Sequence, residues 1–393
     1  MTFSAFCVRC RKKVKKAERI IRYFDMFAGV GGFRAGLDLA GGFQCIGHCE
    51  IDKYADASYR AIHAPGKEEV YYPDARTIDP KELPDFDLLC GGFPCQAFST
   101  AGRRKGFEDA RGTLFFELAR VVKEKRPLYL FLENVPGLLS HDRGRTFGVI
   151  LSTLYDLGYH VEWTVLNSKH FGVPQSRRRL FLIGYLDPRC AGKILPVFGT
   201  DAKALVQIVH GRLGKRVYDS AGIACTQDTS RQSGLYFVDL TKGDPKITPN
   251  ARCLHTRQDG SLTNFKGQNS GVLYIKEATK KGYKEAHEGD SIDLGFAGSN
   301  TRRGRVFAGV AHTVDTANTH GIVLRGGRVR RLMPRECFRL QGFNEDQIDK
   351  ILAINSDAQA YKQAGNGVTV TVIEAIGRRI RAADAELYTQ ESR

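Results

Sequence analysis

Phe93-Pro94-Cys95-Gln96 directly follows a strand-like apolar run at 86–90, and Glu133-Asn134-Val135 follows a second such run at 128–132. If the two runs are neighbouring strands of a parallel sheet, both motifs arrive at its carboxyl edge, where open α/β sheets bind ligands. A thiol opposite a carboxylic acid suits nucleophilic catalysis, the acid handling the charge that moves when sulfur attacks.

A Gly-rich turn, Asp25-Met26-Phe27-Ala28-Gly29-Val30-Gly31-Gly32-Phe33, lies earlier, between a predicted first strand and first helix. Its glycines let the backbone approach a ligand at a helix N-terminus, a place that favours a carboxylate or phosphate. The spacing is not that of the dinucleotide fingerprint. The second strand ends in Glu50, followed by Ile51 and Asp52, and Asp74 precedes Ala75-Arg76. An acid at the end of the second strand can accept from both hydroxyls of a ribose, and Asp74 can accept from an adenine amino group. Turn and acids together outline an adenosine site without a pyrophosphate clamp.

These groups need a scaffold. From 20 to 185, short β-branched or aromatic runs alternate with helix-length segments, the pattern of a doubly wound α/β domain. Strands are predicted at 21–26, 44–50, 86–90, 128–133, 160–166 and 179–184, and helices at 33–40, 54–62, 113–125 and 147–157. After Pro188, Gly, Asp, Thr, Lys and Arg dominate and short apolar runs replace helices. That change predicts a second, smaller, mostly β or irregular domain. Helical periodicity returns at 334–340 and 370–383, so the C-terminus is expected to complete the first domain. The division is a basic arm at 1–19, a first domain at 20–187, a second at 188–327 and a completing segment at 328–393.

The formal net charge is +16, an excess that favours a polyanionic partner, nucleic acid foremost, over an acidic small molecule. Ten cysteines occur without a secretory apolar segment or a membrane-length run, which argues against a disulfide scaffold and a membrane span and for a reducing compartment. Cys7-Val-Arg-Cys10 has the spacing of half a zinc knuckle, but no second Cys or His pair follows before the core begins, so no metal is expected. The N-terminal segment reads as a disordered basic arm, with Arg9, Arg11, Lys12, Lys13, Lys15 and Lys16 available to phosphates. Cys45, Cys49 and Cys90 lie in strand-like runs and are expected to be buried, inert thiols. Trp163, the single tryptophan, is expected in the core, and His141 and His170 are expected to be structural.

DMFAGVGGF, GGFPCQAFS, FLENV, GVPQSRRRLFLIG, LMPRECFRLQGF and YKQAGNGVTV, in this order and roughly this spacing, resemble the motif series of the DNA cytosine-5 methyltransferases of bacterial restriction-modification systems and phages. The resemblance covers 20–187 and 328–380, and the basic stretch between them occupies the place of that family's target-recognition domain. It implies a Rossmann-like, S-adenosylmethionine-dependent methyltransferase domain joined to a recognition domain. It also implies methylation at C5 of cytosine in a specific duplex sequence. C6 of a stacked cytosine is out of reach, so the base has to be flipped out.

By the same resemblance Cys95 is the nucleophile that adds to C6, Glu133 the acid at N3 and the exocyclic amine, and Arg179 the arginine that holds the base. Arg177 matches a second catalytic-motif arginine, nearer to the catalytic loop. Phe27, Gly29, Gly31 and Gly32 cradle the amino-acid end of the cofactor and flank its adenine. Glu50 takes the ribose, Ile51 packs on the base and Asp74 accepts from its amine, while Pro94, Asn366 and Val368 complete the pocket. Gly367 stands where relatives place serine, so no side-chain contact is expected from it. The stretch 99–112 resembles the mobile catalytic loop, with Ser99, Arg103, Arg104, Lys105 and Arg111 available to DNA. Ala101 lacks the serine with which some relatives fill the space left by the flipped base. In the recognition stretch Thr313 matches a threonine that contacts DNA backbone and Arg305 a guanine-reading arginine, with a phosphate contact as the alternative.

The implied partner is double-stranded DNA, acted on by a cytoplasmic, nucleoid-associated monomer whose cognate restriction endonuclease shares its site without forming a stable complex. Two other readings compete. Enzymes that methylate cytosine-5 in tRNA carry a doubled proline before the cysteine and a Cys-Phe-Thr element, whereas here Phe93 precedes Pro94 and no Cys-Phe-Thr occurs. A catalytically inactive DNA-binding regulator is disfavoured because Cys95, Glu133, Arg177 and Arg179 are all present.

Overall fold

Strand β1, Ile21–Met26, is buried at every position but Arg22, as a strand covered by helices on both faces must be. In the computed structural model, which describes residues 19–93, 114–198, 273–279, 281–295, 301–317, 319–324 and 328–390 and four short strands between 207 and 248, this strand is the centre of the fold. Around it lie β2 (Phe43–Cys49), β3 (Val70–Tyr72), β4 (Leu88–Gly92), β5 (Tyr129–Asn134), β6 (His160–Asn167) and β7 (Arg178–Tyr185). They make one sheet in the order β3-β2-β1-β4-β5-β7-β6. The chain winds outward one way from β1 through β2 to β3, then the other way from β4, so the β1/β4 boundary is a topological switch point. β1 to β5 run parallel to one another, and β7 runs antiparallel to both β5 and β6.

Helices α1 (Gly32–Ala40), α2 (Lys53–His63), α3 (Leu114–Lys125) and α4 (Arg145–Asp156) follow the amphipathic segments read from the sequence. Phe115, Phe116, Leu118, Val121, Val122, Ile150 and Leu154 of α3 and α4 cover one face of the sheet. Phe33 and Leu37 of α1 cover the other, together with Val372, Ile373, Ile376 and Ile380 of a C-terminal helix, α8 (Val370–Gln390). Gly36 explains how closely α1 and α8 pack: a Cβ there would lie 2.5 Å from Ile373 Cβ and 2.7 Å from the Val370 carbonyl. The C-terminal helix thus packs in the same hydrophobic cluster as α1. Between them lie α5 (Pro334–Leu340), α6 (Glu345–Ile354) and α7 (Asp357–Asn366).

Between residues 207 and 331 the described elements of regular structure are strands. β8 (Gln207–Val209) pairs with β9 (Val217–Tyr218), β10 (Phe237–Asp239) with β11 (Lys246–Thr248), and β12 (Leu273–Lys276) with β13 (Tyr283–Ala286). β14 (Ser291–Asp293), β15 (Val306–Phe307), β16 (His320–Leu324) and β17 (Arg328–Arg331) form a four-stranded antiparallel sheet. Among the described residues no helix is long and apolar enough to cross a membrane.

Three elements differ from the sequence reading. β3 has only three residues, too short for an alternation signal. α6 and α7 were not anticipated, because α7 buries only Ala360, Gln363 and Ala364 and so lacks a large apolar stripe; the Asn344/Gln347 capping box of α6 was a usable signal. Trp163 is not core. It lies on β6, the edge strand, and is 47 % exposed with its ring edge-on to Phe147.

Candidate active site

The register of β4 on β5 sets Gly92 opposite Glu133, so the chain leaving β4 and the acid ending β5 emerge side by side at the carboxyl edge. Asn134 fixes this junction: its Nδ2 donates to the Phe93 carbonyl at 2.8 Å and its Oδ1 accepts from Val135 N at 2.8 Å. Asn134 is buried, and removing its amide would orphan a buried carbonyl, a loss of about 1–3 kcal/mol. The sequence reading assigned it no role, although an amide closing a strand beside the candidate acid was visible. Pro94, Cys95, Ser99, Arg103, Arg104, Lys105 and Arg111, with Ala101 and the arm at 1–18, lie outside the described residues.

Because β7 is antiparallel to β5, its first residues return to the same edge. Arg179 Nε lies 3.0 Å from Glu133 Oε1, and Arg179 also donates from Nη1 to the Arg178 carbonyl at 2.8 Å. Burial pushes the Glu133 carboxyl above the usual range, opposed by Arg179 and then Arg177. Burial pulls Arg179 down, opposed by Glu133. The pair is therefore a desolvated ion pair whose members sustain each other's charge, and neither could be left alone cheaply.

Arg177 is placed differently from a residue that works on a substrate. It is 1 % exposed, and its guanidinium donates to the carbonyls of Val314 (3.1 Å), Gly365 (2.9 Å) and Gly367 (2.6 Å). Burial and the neighbouring Arg179 pull it down to about 9, which still leaves it charged at neutral pH. Expected as a second arginine of the catalytic motif, Arg177 clamps three backbone carbonyls, and its charge also reaches Glu133.

Arg305, expected to read a guanine or touch a phosphate, is likewise held by backbone carbonyls. It is fully buried; Nη2 donates to the Asp293 carbonyl at 2.9 Å, and its backbone N–H donates to Glu277 Oε1 at 2.5 Å. Its guanidinium is engaged by the backbone of β14. Thr313, half-buried, donates from Oγ1 to the Ser176 carbonyl at 2.8 Å, beside the catalytic strand β7.

The Gly-rich turn sits at the end of β1, next to the switch point. Phe27 and Gly29 take positive φ values of 61° and 56°, and Gly31 one of 82°; for Phe27 this is a strained backbone of the kind held at ligand sites. Both Glu50 oxygens accept from backbone N–H groups, Oε2 from Gly29 and Oε1 from Asp52, each at 2.7 Å. A carboxylate has further lone pairs to offer. Burial raises Glu50 above the ordinary range, opposed by those N–H groups. Ile51 is 69 % exposed beside it. Gly32 lets the turn meet the C-terminal segment, since a Cβ there would lie 2.7 Å from Val368 Cγ2, and Asn366 is exposed at the end of α7. Lys362 Nζ reaches Asp52 Oδ2 at 2.7 Å and ties α7 to the same corner. Asp74 caps the short turn that follows β3 and binds Arg76, which holds its carboxyl below the usual range. An apolar shelf, a half-used carboxylate and a backbone cradle fit an adenosine-bearing cofactor.

Two buried groups in this corner were not singled out in the sequence. His63 Nε2 lies 3.2 Å from the Gly31 carbonyl and is pulled down to about 3 by burial and Arg34, so it supports the turn as a neutral ring. Asp25 is fully buried; Cys90 Sγ lies 3.7 Å from its Oδ1, and its Oδ2 has no partner among the described residues. Burial pushes it up to about 8. Cys45, Cys49 and Cys90 are buried thiols, and burial raises each of them.

Comparison with known proteins decides what this edge belongs to. Residues 21–382 match the model of the C-5 cytosine-specific DNA methylases. The chain belongs to that family. This methylase is 33 % identical to the type II methyltransferase M.HhaI of Haemophilus parahaemolyticus, over 92 % of this chain and 94 % of that protein. It is 32 % identical to the orphan methyltransferase M.SPRI of Bacillus phage SPR, over 92 % and 97 %. A solved prophage-encoded DNA modification methyltransferase from E. coli shares the fold, with a TM-score of 0.51, 20 % identity and coverage of 92 % and 98 %. The methylase is accordingly a DNA (cytosine-5-)-methyltransferase built on a seven-stranded α/β sheet. Among its described residues no cluster of three metal-ligating side chains occurs.

Proposed function

We propose that the enzyme transfers a methyl group from S-adenosylmethionine to C5 of a flipped-out cytosine in a specific duplex sequence, through a covalent bond between Cys95 and C6. The observation that carries this reading is the Glu133–Arg179 ion pair at 3.0 Å, set at the carboxyl edge beside the strand that leads to Cys95. Cytosine C5 is a poor nucleophile. Addition of the Cys95 thiolate at C6 pushes an electron pair through the ring, and Glu133, whose burial favours the protonated form, is placed to give N3 a hydrogen bond or proton as charge arrives. Arg179 keeps Glu133 in place and has further N–H groups for the base.

When bound, S-adenosylmethionine supplies an electrophilic methyl group. The residues that would hold it are Phe27, Gly29, Gly31, Gly32, Glu50, Ile51, Asp74, Pro94, Asn366 and Val368. C5 takes the methyl group, then loses its proton to a base, and the returning electron pair expels the Cys95 thiolate and frees the DNA. Ser99, Arg103, Arg104, Lys105, Arg111 and Thr313 are proposed DNA contacts. The arm at 1–19, catalytic parts at 20–187 and 328–393, and recognition part at 188–327 make up the working division. The enzyme is proposed to act as a cytoplasmic monomer in restriction-modification or phage modification. The relatives carry both type II and orphan names, so a cognate endonuclease is an accompaniment and not a requirement.

Duplex DNA carrying 5-fluorocytosine tests the mechanism, since fluorine at C5 cannot leave as a proton does. With S-adenosylmethionine the wild type is expected to form a denaturation-resistant adduct, Cys95→Ala none, and Cys90→Ala the same adduct as wild type. An adduct retained by Cys95→Ala overturns the nucleophile, and an adduct formed only on tRNA overturns the substrate.

A further inference from the structure

A buried polar cluster joins four distant stretches of the chain behind the active site. Gln175, fully buried, donates from Nε2 to the Leu340 carbonyl at 2.7 Å and accepts at Oε1 from Val314 N at 2.9 Å. Two residues on, Arg177 holds the carbonyls of Val314, Gly365 and Gly367. Gln341, also fully buried, donates to the Ala364 carbonyl at 2.7 Å and accepts from Thr369 Oγ1 at 3.0 Å. Thr369 in turn lies 2.8 Å from Ser168 Oγ, which donates to the Arg177 carbonyl at 3.2 Å. Backbone bonds from Ser176 N to the Ala311 carbonyl and from Ala311 N to the Pro174 carbonyl bind the same two segments together.

The position of this cluster is what gives it a role. Val314 follows Thr313 on the recognition side, while Gly365 and Gly367 flank Asn366, and Val368 is packed on the Gly-rich turn. A guanidinium is rigid and planar, so Nη1 on one segment and Nη2 on the other cannot follow separate movements of their carbonyls. A dry network of this kind is costly when half-made, which favours a few discrete arrangements over continuous yielding.

We propose that Arg177, supported by Gln175, is a positioning residue that makes DNA binding and cofactor binding cooperative by tying segment 311–315 to segment 364–369. DNA that orders the recognition side biases the carbonyls of Gly365 and Gly367, and cofactor that orders Asn366 and Val368 biases Val314 in return, as reciprocity requires. Arg177 touches neither ligand in doing so. This inference rests on the proposed cofactor and DNA sites, and its test separates the two.

The affinity of the full-length protein for S-adenosylhomocysteine is measured by calorimetry without DNA and with saturating sheared, unmethylated phage λ DNA. The wild type is expected to bind S-adenosylhomocysteine about fivefold or more tightly with DNA present. Arg177→Lys keeps the charge and loses the fork; it is expected to bring that ratio close to one while still binding each ligand alone. Thr369→Val removes one hydroxyl and leaves the guanidinium in place. It is expected to lower the ratio by a smaller factor, and provides the same readout if Arg177→Lys does not fold. A wild-type ratio in whichever of these variants folds, or a ratio of one in the wild type, overturns the coupling. A wild type that binds neither S-adenosylhomocysteine nor DNA overturns the functional reading instead.

Discussion

Arg179 Nε and Glu133 Oε1 stand 3.0 Å apart with side chains only 16 % and 12 % exposed, so the charge of each depends on the other. Glu133→Gln preserves shape but can neither neutralise Arg179 nor hold a transferable proton. Single-turnover methyl transfer is expected to fall by about 10²–10⁴-fold, with S-adenosylhomocysteine affinity nearly unchanged because the cofactor corner is built from other strands. Quenched-flow measurement on radiolabelled cofactor provides the check, and a variant within threefold of wild type would remove Glu133 from the chemistry.

Glu50 grips Gly29 and Asp52, and its remaining lone pairs are proposed to take a ribose. Glu50→Ala is expected to weaken cofactor binding by about 10- to 100-fold, the range for losing hydrogen bonds to a charged group, while the rate at saturating cofactor changes little. Titration against S-adenosylhomocysteine separates the two effects. A sharp drop in the saturated rate with affinity intact would contradict the assignment.

Asp25 gives a pH signature. Its carboxyl is pushed up to about 8 in the folded protein from an ordinary value of 3.8. Between those limits the native state keeps a proton that the unfolded chain releases, so this group makes the wild type progressively less stable as pH rises towards 8. Asp25→Asn is neutral throughout and is expected to gain in Tm relative to wild type across that window. A Tm difference that does not change with pH would show that Asp25 is ionised in the fold.

Arg305 separates structure from recognition. With its guanidinium bonded to the Asp293 carbonyl inside the small sheet, Arg305→Ala is expected to lower Tm and weaken binding to all DNA sequences alike. Discrimination lost at a single guanine, with Tm unchanged, would return it to base reading.

The sequence was most informative where local chemistry and element ends coincide. β1 was legible to the residue, because its β-branched and aromatic residues are closed off by a Gly-rich turn. Glu133 and Arg179 were legible as motif members, but their pairing needs an antiparallel strand to double back, which no local pattern announces. The same limit explains Arg177 and Arg305. Arg177 reads as a catalytic-motif arginine and Arg305 as a DNA contact, but neither reading shows their partners, which are backbone carbonyls 137, 188 and 190 residues away in one case and 12 in the other. α7 escaped notice because its packing uses Ala360 and Ala364, and small residues leave little hydrophobic contrast.

The contact of α8 with α1 also has a consequence for synthesis. Arg378 reaches the Leu39 carbonyl across 339 residues and Arg381 the Ala40 carbonyl across 341, so the helix that covers Phe33 and Leu37 is translated long after they are. At about 5–20 residues per second, that face of the nascent chain stays bare for roughly 20–70 s, long enough to invite a chaperone. Val368 arrives with the same later stretch, so until it is made the Gly-rich turn lacks the side chain that packs on Gly32.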